Sequence, residues 1–372
     1  MAGPVVITGG GTGGHIFPML AVAEQLRAQG CRDNELRFVG SRRGQEATLL
    51  GSGAVALTLL PGRGIRRSLA PRAVVANVGA VAGLGAAVAL AVVQVGRWRP
   101  SVVVSLGGYA AFAVSFAAVL WRRPLVLIDF DAVPGAAHRV LSRFATRRCT
   151  TFPSNAEDDI VTGVPLREAI VNLDRGAEAR ADHRRAWSPP ISPDRRIVVV
   201  MTGSLGSATV NRAVSDLAGR WARREDLTLI HVTGRRDFEW VVRDRPSSTA
   251  LDYRIEAFAD MSRLWGIADA AVCRAGATTI GELTALGIAS VLVPLPGAPG
   301  NHQVRNAEVL ARAGAARLVR DEDCTAASLA RELDDILESA QRARMEESAR
   351  LLGRDDGAAA IARVIVTLRE AP

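Results

Sequence analysis

The chain has 372 residues, 48% of them hydrophobic, and a formal net charge of +8. Such a chain can bury large cores, and its length favours two domains. The positive charge, which comes from arginine, suits phosphate-bearing substrates or an anionic membrane surface. The sequence contains neither an RNA-binding aromatic segment nor zinc-ligand spacing, so a nucleic-acid-binding module is not predicted. The four cysteines lie far apart, which indicates a reduced cytosol and excludes a disulfide framework.

A glycine loop follows the first predicted strand, which begins too early in the chain to leave room for a signal peptide. Pro4 to Thr8 is apolar and β-branched, five glycines lie between positions 9 and 14, and a helical pattern starts at Phe17. Such a loop can cradle phosphate, although it matches neither the dinucleotide fingerprint nor the P-loop. His15, at the mouth of the helix, is either a base kept neutral by the helix dipole or a capping residue.

Further strands are predicted in the first half of the chain, and they alternate with helical or glycine-rich stretches. They cover residues 35–39, 55–60, 102–105 and 125–129. Alternation of this kind predicts a parallel, doubly wound sheet.

A run without charged residues lies between Arg72 and Arg97. It admits three interpretations: a membrane span, a crossover helix in the core, or a helix that applies one face to a membrane. The flanking residues favour the third interpretation over a bare core helix, because they suit an anionic interface. They are Arg63, Arg66, Arg67, Arg72, Arg97, Trp98, Arg99, Trp121, Arg122 and Arg123.

Two further loops follow strands of the first half. Leu106–Tyr109 is either a second phosphate-facing or substrate-facing loop or a tight turn with a packed tyrosine. Asp129 and Asp131 end a buried strand, where carboxylates could act as a general base or contact sugar hydroxyls. Their D-x-D spacing also occurs in metal-dependent sugar transferases, but no other ligands are evident, so no metal site is predicted.

The second half repeats the pattern of the first. Residues 172–196, rich in charge and proline, predict a linker or a surface excursion. A strand at 197–201 then leads into a glycine and serine loop, and more strands are predicted at 227–233, 253–258, 271–273 and 289–293. Glu282, one or two turns into a helix, is placed to bind a ribose diol, and the polar residues 301–306 suit sugar hydroxyls or helix caps. Two similar sheets facing across a cleft are therefore expected.

Seven motifs in order resemble the MurG family, glycosyltransferases of the two-Rossmann GT-B fold that use a UDP sugar. The resemblance covers nearly the whole chain. The motifs are Gly10–Pro18, Gly107–Tyr109, Gly163–Arg167, Gly203–Gly206, Phe258–Met261, Arg274–Glu282 and Asn301–Ala307.

The resemblance implies a role for residues of both halves. On the donor side, uracil would lie against Phe258, and the ribose would bond to Glu282. The donor's diphosphate and sugar would contact Arg167, Gly203, Ser204, Gly206, Ala277, Thr278, Gln303 and Asn306. The lipid-linked acceptor would contact Thr12, Gly13, Gly14, His15, Gly108 and Tyr109.

The chain departs from the family at the motif that typically reads His-Glu-Gln-Asn, where it has Ile128, Asp129, Phe130 and Asp131. This change affects the acceptor contacts most. Leu205 also replaces a glutamine, and Val164 an asparagine.

We therefore expect an inverting, metal-independent transfer of N-acetylglucosamine from its UDP ester to a polyprenyl-diphosphate-linked sugar, the step from lipid I to lipid II. The base would be His15, with Asp129 or Asp131 as rivals. No cofactor and no nucleic acid are expected, and the enzyme would lie peripherally on the cytoplasmic membrane face. The alternatives are a relative with another lipid-phosphate or natural-product acceptor, and a non-catalytic nucleotide-sugar-binding partner.

Two GT-B domains follow from the same resemblance. The acceptor domain would comprise residues 1–163, and a C-terminal helix at about 354–372 would pack back on it. The UDP-sugar domain would comprise residues 164–353.

Overall fold

The computed structural model describes residues 3–10, 13–44, 46–50, 54–62, 71–153, 156–203, 206–246 and 249–370. The chain forms two compact units. Unit 1 comprises Met1–Arg167 and Asp356–Pro372, and unit 2 comprises Glu168–Asp355.

Unit 1 is built on a parallel sheet. Its strands are β1 (Val5–Thr8), β2 (Leu36–Ser41), β3 (Ala56–Leu60), β4 (Val102–Ser105), β5 (Leu125–Asp129), β6 (Arg147–Thr150) and β7 (Asp159–Val161). They lie in the order β3-β2-β1-β4-β5-β6-β7. Because the chain turns from one direction of the sheet to the other between β1 and β4, the carboxyl ends of these two strands border the crevice where doubly wound sheets bind ligands.

The helices of unit 1 cover this sheet. They are α1 (Gly13–Ala28), α2 (Glu46–Leu50), α3 (Pro71–Trp98), α4 (Tyr109–Leu120) and α5 (Ala136–Leu141). Alanines dominate the buried faces of α3 and α4, among them Ala87, Ala91, Ala113 and Ala117. Small side chains let the two helices pack closely on each other and on β-branched strand residues such as Val103.

Unit 2 repeats this architecture. Its strands are β8 (Arg196–Met201), β9 (Leu227–Val232), β10 (Asp252–Glu256), β11 (Ala270–Cys273), β12 (Ser290–Leu292) and β13 (Ala316–Leu318). They form a parallel sheet in the order β10-β9-β8-β11-β12-β13. The crevice here lies at the carboxyl ends of β8 and β11.

The helices of unit 2 follow the same alternation. They are α6 (Glu168–Val171), α7 (Ala177–Arg185), α8 (Ala208–Arg220), α9 (Phe238–Arg243), α10 (Met261–Trp265), α11 (Ala277–Ala285), α12 (His302–Arg312), α13 (Ala326–Leu337) and α14 (Ser339–Leu352). Apolar residues of α8 and α13, such as Leu217 and Leu333, pack on β8 and β11 in one core.

The segment 172–196 is not a linker but contains a surface helix, so of the two alternatives the linker is wrong. It contains α7, whose Arg180 donates to the carbonyls of Ile267 and Ala268 and pairs with Asp269 at 2.7 Å. Arg184 also reaches Asp269. The charged composition of this surface segment therefore includes arginines that tie α7 to the end of α10 and to the start of β11.

The last helix, α15 (Gly357–Glu370), belongs to unit 1. Ile361 and Ile365 are fully buried, and the helix packs on α1. Arg369 near its end bonds to Glu35 and lies 2.9 Å from Cys31 Sγ. Unit 1 is thus completed by a segment that follows all of unit 2 in sequence.

Candidate active site

His15 lies at the carboxyl edge of the unit 1 sheet, in the first turn of α1. Its half-buried imidazole packs edge-on against Phe130, with ring centroids 5.5 Å apart at an interplanar angle of 61°. Phe130 directly follows β5. A helix N-terminus disfavours positive charge, so this position favours an imidazole that can accept a proton.

The loops after β1 and β4 meet through their backbones. A Cβ on Gly108 would lie 3.0 Å from the carbonyl oxygen of Gly10, so a side chain would not fit there. Gly107 and Gly108 also have left-handed φ angles of +89° and +93°. Both glycines are thus required by the conformation that brings the second loop beside His15.

Asp129 and Asp131, the rival bases, lie in different surroundings. Asp129 is 6% exposed, and its Oδ1 accepts from His138 Nδ1 at 2.6 Å. Its Oδ2 lies 3.5 Å from Arg148. Asp131 is half-buried in the turn after Phe130. The burial and partners of Asp129 favour a structural role, whereas Asp131 retains access to solvent.

Two buried residues near the glycine loops were not identified from sequence. His138 on α5 is 3% exposed and bridges Asp129 to Ser105. Glu46 has no exposed surface, accepts from the Ser41 amide at 2.9 Å, and would be 2.9 Å from a Cβ on Gly10. No periodic pattern marks either residue, since Glu46 also lies against Gly10 and His138 bonds to Ser105, both far away in the sequence.

Tyr109 and Arg167 both pack within unit 1. The Tyr109 hydroxyl lies against Gly62, where an added Cβ would be only 1.9 Å from the hydroxyl oxygen. Burial raises the pKa of this phenol. The Arg167 guanidinium stacks on the Phe17 ring at 4.7 Å, and Phe17 lies two residues after His15 on α1. The roles of Tyr109 and Arg167 in substrate binding stay predictions, as do those of Gly13 and Gly14 at the start of α1.

The glycine loop of unit 2 lies between β8 and α8. Gly203 and Gly206 have φ angles of +85° and +73°, and a Cβ on Gly206 would lie 2.7 Å from the Thr233 carbonyl oxygen. Ser207 caps α8 by accepting from the Val210 amide and also accepts from Arg274. This geometry leads the backbone into a helix N-terminus, an arrangement that binds phosphate.

A buried polar network supports this loop from below. Asn211 donates to the Thr233 carbonyl and to Asp237, whose Oδ2 would be 3.2 Å from a Cβ on Gly206. Because the Asn211 amide nitrogen makes both of these bonds, its oxygen Oδ1 faces His231 Nε2 at 2.9 Å. This oxygen can only accept, so His231 Nε2 carries a proton. His231 Nδ1 then accepts from the Tyr253 hydroxyl at 2.8 Å. The network holds His231 in one neutral tautomer.

The pH dependence of stability tests this network. Burial lowers the pKa of His231 to about 3, whereas an unfolded histidine titrates near ~6.5. Between these values the unfolded state binds the extra proton, so stability falls as the pH falls, by up to about 1.4 kcal/mol per pH unit. Urea unfolding of the wild type and of His231→Gln between these pH values should show the steeper loss in the wild type; parallel curves would contradict a neutral native His231.

Phe258 and Glu282, which the sequence predicts to bind the donor nucleoside, lie in the loop after β10 and on α11 of unit 2. Phe258, in the loop after β10, is 67% exposed, as a residue that stacks on a base would be. Glu282 on α11 is 6% exposed, and its Oε2 accepts from the Trp265 indole at 2.8 Å. Sequence reasoning missed Trp265, which holds the carboxylate in one orientation.

The other residues predicted to contact the donor lie on α11 and α12. Ala277 and Thr278 form the first turn of α11, after the N-cap Gly276. Gln303 accepts from the Leu295 amide at 3.0 Å. Asn306 is fully buried and donates to the Ala275 carbonyl at 3.1 Å, so it supports the turn that begins α11.

Some predicted residues lie outside the described part of the chain. They are Thr12, Ser204, Arg63, Arg66 and Arg67. The structure therefore brings His15, Gly108 and Asp131 to the carboxyl edge of unit 1. It brings Gly203, Gly206, Phe258, Thr278, Glu282 and Gln303 to the corresponding region of unit 2.

An apolar surface runs along α3 and the end of α4. Val81, Leu90 and Val93 are exposed on α3, and Leu120 and Trp121 on and after α4. The Trp121 indole donates to the Val92 carbonyl at 2.8 Å, which joins the two helices. By length and composition, Gly79–Trp98 could cross a membrane. Within its most apolar 18-residue stretch, 22% of the residues are buried.

Comparisons with known proteins give one consistent family. The N-terminal domain model of glycosyltransferase family 28 matches residues 5–150, and its C-terminal domain model matches residues 197–361. A protein of Alkalilimnicola ehrlichii named "UDP-N-acetylglucosamine--N-acetylmuramyl-(pentapeptide) pyrophosphoryl-undecaprenol N-acetylglucosamine transferase" is 37% identical over 98% of both chains. A protein of the same name from Nitratidesulfovibrio vulgaris is 38% identical over 98% of this chain and 97% of its own. The crystal structure of Acinetobacter baumannii MurG superposes with a TM-score of 0.75, at 26% identity over 98% of this chain and 99% of its own.

Proposed function

Because the chain belongs to glycosyltransferase family 28, we propose that it transfers N-acetylglucosamine from UDP-N-acetylglucosamine to undecaprenyl-diphosphate-linked N-acetylmuramyl-pentapeptide. This reaction converts lipid I into lipid II in peptidoglycan synthesis. The observation that carries the proposal is the identity of 37% and 38%, over 98% of this chain, to two proteins named as this N-acetylglucosamine transferase. The residues predicted to bind the donor follow strands at one edge of the unit 2 sheet, which agrees with it.

Unit 2 supplies the donor site. The exposed ring of Phe258 takes the uracil by stacking, and Glu282, oriented by Trp265, accepts hydrogen bonds from the ribose diol. The diphosphate lies at the start of α8, where Gly203 and Gly206 allow close backbone approach. The sugar lies at the start of α11, beside Gln303.

Transfer is a displacement with inversion at the anomeric carbon. His15 takes the proton of the acceptor hydroxyl, whose oxygen forms the new bond to C1 as the bond between C1 and the β-phosphate oxygen breaks. The electron pair of that bond leaves with UDP. The helix N-terminus after Gly206 stabilises the developing charge.

Unit 1 supplies the acceptor site and the membrane contact. The loops that end at Gly14 and Gly108 receive the lipid-linked sugar beside His15. The apolar surface of α3 and α4 rests on the cytoplasmic face of the membrane, where exposed Arg97, Arg99 and Arg122 meet anionic headgroups. A peripheral position suits an acceptor that is anchored in the bilayer by its polyprenyl chain.

Removal of surface arginines tests the membrane contact. Arg97→Ser together with Arg122→Asn should weaken binding to anionic vesicles by about 1 kcal/mol per arginine, with a larger effect at low salt. Asparagine suits position 122, whose φ is +50°. Vesicle co-sedimentation measures the effect.

The matched control replaces Arg312 and Arg331 by serine on unit 2, where both side chains are 73% exposed. This pair should leave vesicle binding unchanged. Turnover of a water-soluble acceptor should stay at the wild-type level in both double variants. Equal loss of vesicle binding in the two double variants would mean that net charge alone, and not this surface, controls membrane affinity.

A UDP-release assay tests the reaction itself. The wild-type protein is offered a panel of UDP sugars, with and without a short-chain lipid I analogue. Release that requires both UDP-N-acetylglucosamine and this analogue supports the proposal. Release of UDP only with another lipid-phosphate or natural-product acceptor would indicate a family member with a different acceptor, as the altered motif at 128–131 suggests. Binding of the UDP sugar without release of UDP would indicate a non-catalytic partner.

A further inference from the structure

A buried hydrogen-bond chain lies beneath the second glycine loop of unit 1. Asp129 Oδ1 is 2.6 Å from His138 Nδ1, and His138 Nε2 is 2.8 Å from Ser105 Oγ. Ser105 has no exposed surface, and His138 is 3% exposed. The carboxylate makes Nδ1 a donor, so in the neutral imidazole Nε2 accepts from the Ser105 hydroxyl.

These three hydrogen-bonded residues have the composition of a hydrolytic triad, but substrate could not reach the serine. A nucleophilic serine must reach its substrate, whereas the Ser105 hydroxyl is sealed within the unit. Asp129 Oδ2 also lies 3.5 Å from Arg148, which pairs with Asp159 at 3.1 Å, so an ion pair adds to the hydrogen bond that Oδ1 accepts. Ser105, His138 and Asp129 therefore form a rigid framework, called here the His138 framework.

The His138 framework adjoins His15 by two routes. A Cβ on Gly107 would lie 3.7 Å from His15 Nε2 and 3.8 Å from His138 Cε1, so the two imidazoles flank this glycine. Gly107 itself follows Ser105 by two residues. Phe130, which packs edge-on against His15, directly follows Asp129. Fixing Asp129 and Ser105 thus fixes the two neighbours of His15.

We propose that His138 is a positioning residue for the transfer reaction, which holds the loop Leu106–Gly108 and Phe130 so that the His15 imidazole faces the acceptor hydroxyl. The inference rests on the proposed function, in which His15 is the base. It also accounts for part of the altered motif. Asp129 is one methylene shorter than the glutamate typical of the family at that position, and the His138 ring bridges the distance from Asp129 to Ser105.

Two variants break the framework at different links. Ser105→Ala removes one oxygen atom, and His138→Gln removes the imidazole. Ser115→Ala is the matched control, because Ser115 is equally buried on α4 and its hydroxyl has no hydrogen bond within the described chain. Thermal unfolding of all three variants verifies that they are folded.

The expected result is a loss specific to the acceptor. Both framework variants should lower kcat/KM for the lipid I analogue by about 10-fold to 100-fold, as small misplacements of a catalytic group do, with an unchanged KM for UDP-N-acetylglucosamine. Ser115→Ala should match the wild type, and Ser105→Thr, which restores a hydroxyl, should regain part of the loss. The ¹⁵N resonances of the His15 ring should shift in Ser105→Ala and His138→Gln only.

Either of two results would overturn the inference: framework variants as active as Ser115→Ala, or His15 resonances identical to those of the wild type. The resonances also separate this inference from the proposed function. A wild-type protein that releases no UDP with any acceptor would refute the proposed reaction, whereas the dependence of the His15 resonances on Ser105 and His138 would still decide whether the framework positions that ring.

Discussion

Replacing His15 with alanine should lower kcat by about 10² to 10⁴, the range for loss of acid-base assistance, and should leave UDP binding intact. The imidazole lies in the first turn of α1 and is supported by the Phe130 ring. Alanine is well tolerated in a helix and removes only the ring, so folding should be retained. Single-turnover kinetics with the lipid I analogue measures the chemical step, and calorimetry measures UDP binding.

The rival base gives the contrasting outcome. Asp131→Asn, which restores the residue typical of the family, should be milder than His15→Ala, because a carboxylate is an inherently weaker base than an imidazole. A larger loss of kcat in Asp131→Asn would reverse the assignment. His15 would then be a helix cap or an acceptor contact.

Replacing Glu282 with alanine should raise the KM for UDP-N-acetylglucosamine by about 10-fold to 150-fold, which corresponds to 1.5 to 3 kcal/mol for hydrogen bonds to a charged group. Equilibrium binding of UDP should weaken by the same factor, because the ribose belongs to both molecules. The effect should be absent for a nucleotide that lacks both ribose hydroxyls.

Two companion variants make this test specific. Trp265→Phe removes the indole donor that bonds to Glu282 Oε2 and should raise KM less than Glu282→Ala does. Thr284→Val changes a buried hydroxyl on the same helix, which donates to the carbonyls of Ile280 and Gly281, and should leave KM unchanged. Unaltered UDP affinity in Glu282→Ala would remove this residue from the donor site.

The fold was largely predictable because its central strands are continuous apolar runs. The predicted strands 102–105 and 125–129 coincide with β4 and β5, whose residues are all buried. The prediction of two doubly wound domains of the GT-B type is confirmed, and so is the family. β6 was missed because it begins with Arg147 and Arg148. Arg148 forms tertiary ion pairs with Asp129 and Asp159, which compensate its charge and which no local pattern predicts.

The candidate site was predictable where it follows strands and unpredictable where it depends on tertiary pairs. Loop glycines and His15 follow a strand directly, so the parallel sheet gathers them at one edge. His138 contacts Ser105, 33 residues away, and Trp265 contacts Glu282, 17 residues away. Contacts at such separations leave no periodic or local pattern in the sequence.

The return of α15 to unit 1 sets an order for folding during synthesis. Unit 2 is one uninterrupted segment, Glu168–Asp355, and all of it is synthesised before α15. Unit 1 must wait, with the face of α1 that α15 covers still open to solvent. At the usual rate of translation this wait lasts about 10 to 40 s. The nascent unit 1 therefore presents an uncovered apolar seam to chaperones until the ribosome has finished the last helix.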